Sequence, residues 1–332
     1  MMNRGLLRSL KVDPFLLAMI GVLIVASLLP ARGRGATVIS GLSDISIAAL
    51  FFFHGAKLSR QAVLAGIRAW PVHSAVILAT FVMFPLLGVT ARHFADLWLD
   101  PAIGAGIVLL CIMPSTVQSS IAFTSMAGGN VPAAVTSASA SSVLGVFLTP
   151  MLAALLLSGS RAGAASWASV YKIALQLLVP FVIGHALRPL LVGFLDRRRT
   201  FLTKLDRGVI LLVVYTVFSA AVVEGLWRRY TQFDLLWTLA IDATLLGLAL
   251  LATTLGARLL RLTREDEIAV VFCGSKKSLV SGVPMAAALF PVAQLGALIL
   301  PLMLFHQLQL MACAVLAQRY AGVAREAAPC GA

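Results

Sequence analysis

Charge is scarce in this chain. Asp, Glu, Lys and Arg make up 12% of its 332 residues, against roughly 25% in an ordinary soluble domain. So few charges cannot build a water-facing surface, and a mean hydropathy of +0.97 places the chain in a bilayer. Cysteine is scarce too. Cys111, Cys273 and Cys313 lie in apolar runs and Cys330 lies in the tail, without a C-x-x-C pair or a histidine at ligand spacing. That excludes a disulfide framework and a structural zinc site. No HExxH, P-loop, nucleophile elbow or paired-carboxylate constellation appears, so the chain is read as neither an enzyme nor a cofactor protein. The net charge of +13 does not indicate nucleic acid. The basic residues stand at the ends of apolar runs, where topology uses them, rather than in a patch interleaved with aromatics.

Long apolar runs are what the chain has instead. Ten reach spanning length, about 20 residues, at approximately 12–30, 36–54, 69–90, 102–126, 131–158, 167–187, 208–227, 235–257, 268–290 and 292–316. The first follows Arg4, Arg8 and Lys11 in signal-peptide order. No A-x-A-like cleavage site follows it, and a second apolar run begins at Ala36, so it is read as a retained span. Connections are short, and 1–332 reads as one transmembrane domain ending in a tail at 317–332. With the N-terminus inside, Lys and Arg crowd one side of the membrane (Arg4 to Lys11, Lys57 to Arg68, Arg188 to Arg207, Arg258 to Arg264, Arg319 and Arg325). The other side holds Arg32, Arg34, Arg92, Arg161, Arg228 and Arg229, while Lys172, Lys276 and Lys277 fall within spans. This positive-inside bias predicts cytoplasmic termini in a multi-pass membrane protein. Ten spans divide into halves of five, about 12–158 and 167–316. An odd number per half predicts that the second runs inverted relative to the first.

Lys276 and Lys277 stand side by side in an otherwise apolar run, with Ser275 before them and Ser278, Gly282 and Pro284 after. An ammonium at the bilayer centre costs about 2.5–3.5 kcal/mol on insertion scales, so the pair requires a shielded place and a break in the helix. A loop placement would leave 279–290 too short to span before Pro291. The fourth span of the first half carries a matching interruption, Pro114 followed by Ser115, Thr116, Gln118, Ser119 and Ser120. Alone it also fits a simple proline kink with hydroxyls bonded to their own helix. Paired breaks in two halves point to a transport site, where freed backbone groups line a cavity.

The stretches FCGSKKSLVSGVPMA, LSDISIAALFFFHGAKLS (42–59) and MPSTVQSSIAFTSMAGGNVPAAVTSASASS (113–142) resemble the bile acid:sodium symporter family, solute carrier family 10, in its SBF-like branch. The resemblance covers nearly the whole chain. It implies a ten-helix all-α fold of panel and core domains, with discontinuous fourth and ninth helices crossing at the binding site. Sodium-coupled members carry a Glu and, four residues later, a Gln–Asn pair on the ninth helix; Phe272, Lys276 and Lys277 stand there in this chain. Their Ser–Asn sodium ligands fall at Ser119 and Ser120, and Thr136, Ser137 and Ser139 sit near the remaining ones. With a carboxylate and amides gone, sodium coupling is expected to be lost or altered, leaving Lys276 as a tethered cation and H⁺ as another coupling ion.

Buried positive charge suits a small organic anion, with Lys276, Lys277, Ser275, Ser278, Pro114, Ser115 and Gln118 as the candidate binding residues. The other reading pairs the lysines internally with Asp44 or Asp242, the acids within apolar spans. His54 and Lys57 are read as snorkelling at a span end. His306, Gln307 and Gln309 are read as helix-end or interhelical contacts, Glu265 to Glu267 as a charged first turn, and the tryptophans as an interfacial belt. A non-transporting membrane regulator linked to ion homeostasis is the alternative function the resemblance leaves open.

Overall fold

The computed structural model describes residues 14–57, 70–157, 178–223, 225 and 230–326, and every regular element among them is helical. Lipid offers no hydrogen bonds to a backbone, so the chain satisfies its own within helices. These are α1 (Pro14–Leu28), α2 (Gly33–Lys57), α3 (Trp70–Ala95), α4 (Pro101–Ile112), α5 (Gln118–Met126) and α6 (Val131–Leu157). There follow α7 (Leu178–Ala186), α8 (Arg188–Arg197), α9 (Arg199–Val223), α10 (Gln232–Leu259), α11 (Arg264–Gly274), α12 (Leu279–Leu289) and α13 (Val292–Glu326).

Local chemistry sets the boundaries. Asp100 accepts from the Ala102 N–H, and Pro101 occupies the first position of α4, where its missing donor costs nothing. Thr231 and Asp234 form a reciprocal capping box on α10, and Thr263 caps α11. In α3 the run Ala79–Met83 is a π-helical turn. The 35 residues of α13 extend about 52 Å at 1.5 Å per residue, well past a hydrocarbon core of about 30 Å.

Six helices, α2, α3, α6, α9, α10 and α13, are long and apolar enough to cross a membrane. They coincide with six of the expected spans. The other four differ in form. α1 and α4 are shorter apolar helices, and α7 meets α8 at a bend of 82°. The fourth and ninth runs are each two short helices, α4 with α5 and α11 with α12. The start of the sixth run (167–177, with Lys172) lies outside the described residues. So do Arg4, Arg8, Lys11, Arg60, Arg68, Arg161, Trp167, Trp227, Arg228, Arg229 and Cys330. Large apolar side chains face outward, among them Leu17, Val38, Ile45, Leu86, Leu155, Leu190 and Leu251, as a lipid-facing surface requires. Trp70, Trp98 and Trp237 are also exposed, as the belt reading expects.

The helices pack in two groups. In one, α9 lies against α1 and α2, and α8 against α2 and α9. There Gly55 of α2 abuts the Phe181 carbonyl and Gly184 of α7 abuts the Phe52 carbonyl, leaving no room for a Cβ at either place. Lys57 does not simply snorkel, as its helix-end position suggested: its Nζ lies 2.6 Å from Asp206 Oδ2 on α9. In the other group α11 is surrounded by α3, α5, α6 and α10, while α13 packs on α4, α5, α10 and α12. α9 joins the groups through α12 and α13.

Candidate functional site

Both breaks lie buried at the centre of the second group. α4 stops because Met113 is extended and Pro114 follows; proline disfavours a helical conformation in the residue before it. α11 stops at Gly274, and Ser278 restarts the chain by accepting from the Ser281 N–H at the head of α12. The two linkers cross. Ser278 N–H donates to the Pro114 carbonyl at 2.8 Å, the Ser115 hydroxyl to the Cys273 carbonyl, and the Ser120 hydroxyl to the Phe272 carbonyl at 2.8 Å.

A helix broken in lipid exposes backbone groups that must find partners, and here side chains supply them. On α6, the Ser141 hydroxyl accepts from the Ser115 N–H and the Thr149 hydroxyl donates to the Ile112 carbonyl. Gly145 on the same helix admits the Pro114 ring, because a Cβ there would come within 2.7 Å of it. Gln309 of α13 serves the second break. Its Oε1 accepts from the Lys277 N–H and its Nε2 donates to the Lys277 carbonyl, each at 2.8 Å. The same Nε2 lies 2.7 Å from His306 Nδ1.

Lys276 and Lys277 have no exposed surface. The Lys277 ammonium has three protons and donates to three carbonyls: Thr80 at 2.8 Å, Cys111 at 2.7 Å and Met113 at 2.8 Å. Thr80 lies in the π-turn, and Cys111 and Met113 lie at the end of α4. Such places leave carbonyls without helical partners, and the negative end of a helix dipole favours a cation. The Phe84 ring lies 4.2 Å from the same nitrogen.

The Lys276 ammonium has no hydrogen-bond partner among the described residues. It rests 3.9 Å from the Phe123 ring centroid and 5.6 Å from that of Phe272, a cation–π setting. The Cys273 and Cys313 thiols are within electrostatic reach.

Of the residues singled out in the sequence, Lys276, Lys277, Ser275, Ser278, Pro114, Ser115 and Ser120 come together at the crossing, all buried. Ser119 joins through Thr116, which its hydroxyl meets at 2.9 Å. Gln118 is exposed at the first position of α5. Along α6, Ser137 is held by His73 at 2.6 Å, Thr136 bonds back to the Pro132 carbonyl, and Ser139 is half-buried. Neither candidate acid forms an ion pair with either lysine. Asp44 is exposed on α2, in the other packing group. Asp242 is fully buried on α10, near the Phe305 backbone, with neither oxygen in hydrogen-bond geometry. Lys277 has no proton left for an acid. Thr80, Ser141, Thr149 and the Phe84 and Phe123 rings join the site unforeseen. Gln309 is the interhelical contact it was read to be. No cluster of three metal-binding side chains occurs among the described residues.

Two broken helices crossing around buried ammoniums, inside a membrane-type helical bundle, define a transporter of the discontinuous-helix kind. The chain belongs to the SBF-like CPA transporter family, whose description matches residues 13–322. It is 52% identical to an uncharacterized protein of Pseudomonas aeruginosa, with 93% of both chains covered. To YfeH of Escherichia coli strain K12, named as a candidate symporter, it is 50% identical over 93% of this chain and 92% of that one. To the sodium/bile acid cotransporter 7 of Rattus norvegicus it is 26% identical, covering 94% and 93%. The bile acid:sodium symporter resemblance read from the sequence is thus established, and the family is one of membrane transporters with small-molecule substrates, not of enzymes.

Proposed function

We propose that the chain is a secondary transporter of a small organic anion, working by alternating access at the crossing of α4–α5 with α11–α12. In this reading ten spans form two inverted repeats of five in a bacterial inner membrane, with both termini cytoplasmic. Lys276 is the group that meets the solute. One observation carries the proposal: Lys276 is fully buried at the crossing and its ammonium lacks any hydrogen-bond partner among the described residues. Burying such a cation is costly, and an anion entering beside Phe123 and Ser119 would relieve that cost in the state that binds solute. Lys277 is part of the scaffold, because its protons are all taken.

Sodium has no role in this cycle. The lysines occupy the place of sodium's ligands, and an ammonium repels a second cation at short range. Ser119, Ser120, Thr136, Ser137 and Ser139 then serve packing and hydrogen bonding rather than ion coordination. A proton released or taken up at Lys276 is the coupling this arrangement leaves available.

The test is uptake into proteoliposomes across a set of labelled carboxylates, sulfates and phosphate esters, under a sodium gradient, a proton gradient or neither. Wild-type protein should accumulate at least one anion without sodium, and Lys276→Met should reduce the accumulation by about tenfold or more. Undiminished sodium-driven uptake by Lys276→Met overturns the assignment.

A further inference from the structure

Away from the crossing, α10 stops, α11 starts and α13 runs past them both. This end of the bundle holds a cavity of about 590 Å³, within the range of small-molecule sites, with Arg258, Arg264 and Arg319 on its walls. Glu267, Tyr320 and the apolar Leu262 and Leu316 complete the lining. Three guanidiniums therefore face one carboxylate. That carboxylate is already engaged, accepting from Arg258 Nε at 3.2 Å and from the Tyr320 hydroxyl at 3.2 Å. Among the described residues Arg264 reaches only the Tyr320 carbonyl, at 3.2 Å. Arg319 makes no ion pair among the described residues.

We infer that this cavity binds a phosphate ester of net negative charge, without a cationic headgroup to oppose the guanidiniums, gripped by Arg264 and Arg319, with Leu262 and Leu316 accommodating an attached apolar chain. Guanidinium forks match phosphate oxygens in pairs. Basic pockets between helix ends, on the side richer in Lys and Arg, recognise anionic lipid headgroups. The bound ester tethers α11 to α13. Its effect reaches the crossing by contact, because the Tyr320 ring meets Phe272 edge-on at 6.2 Å and Phe272 lies beside the Lys276 ammonium.

The full chain, purified in a neutral detergent, is titrated with phosphatidylglycerol, phosphatidylcholine or inorganic phosphate while its unfolding temperature is followed. Phosphatidylglycerol should raise that temperature in a saturable way and phosphatidylcholine should not. Arg319→Gln breaks no hydrogen bond or ion pair among the described residues, so it should simply weaken the apparent affinity, by about tenfold or more; Arg264→Gln should weaken it as much while also losing the bond to the Tyr320 carbonyl. If inorganic phosphate reproduces the shift and the same variants lose it, the site stands and its ligand is a soluble phosphate. If wild type and both variants respond alike, or the two lipids are equivalent, the site does not exist.

Discussion

Around Lys277 the protein has assembled three carbonyls, a phenyl ring and an amide side chain that holds the lysine's own backbone. Around Lys276, one residue earlier and just as deeply buried, there are two aromatic rings and no hydrogen-bond acceptor among the described residues. Successive residues in an unwound linker project in different directions. One side chain therefore enters the α3–α4 side of the crossing and the other the α5–α11 side. The difference supports the proposed division between a structural cation and a solute-facing one, which rests on what the protons of each meet and not on its depth. A satisfied buried ammonium is a strut, while an unsatisfied one is a cost retained for a reason outside stability.

The comparison can be broken at several points. Lys277→Met leaves three buried carbonyls without a donor, at roughly 1–2 kcal/mol each. It should lower stability by about 3 kcal/mol or more, read as a large drop in unfolding temperature in detergent. Gln309→Leu unpairs the Lys277 N–H and carbonyl together. It should lose about 2 kcal/mol or more by the same measurement, and it would sink the strut reading if it were neutral. Lys276→Met is expected to invert this pattern. Removing an unpaired buried charge is neutral or stabilising by about 1 kcal/mol, whereas solute accumulation should fall by about tenfold or more, as expected when a charge-assisted contact to the solute is lost. Thr149→Val removes one donor from the end of α4 and should cost about 1 kcal/mol with uptake retained. Retained uptake there would separate general packing at the first break from the specific role assigned to Lys276.

Much of this was legible in the chain. Six spans coincide with long helices because an apolar run of about 20 residues has few other structures open to it in lipid. Both interruptions were legible because proline and paired lysines cannot continue a lipid-facing helix. The contacts of the breaks were not. The π-turn at Ala79–Met83 leaves no distinct mark in the sequence, so nothing pointed to Thr80 as a partner of Lys277, 197 residues away. Ser141 and Thr149 look like any hydroxyl that could bond to its own helix. Only the packing of α6 over α4 turns them toward Ser115 and Ile112. Lys57 was placed at a helix end by its position and paired with Asp206 by the fold. Asp242 was a candidate partner for the lysines and lies buried without them.

The sequence by itself determined the membrane setting, six of the spans and the two breaks, because these follow from transfer energies and from residues that forbid a helix, and its motifs gave the family. The tertiary structure decided which lysine is held and which is free. That choice depends on where α3, α4, α5, α11 and α13 place their carbonyls and rings, and two identical side chains next to one another carry no record of it.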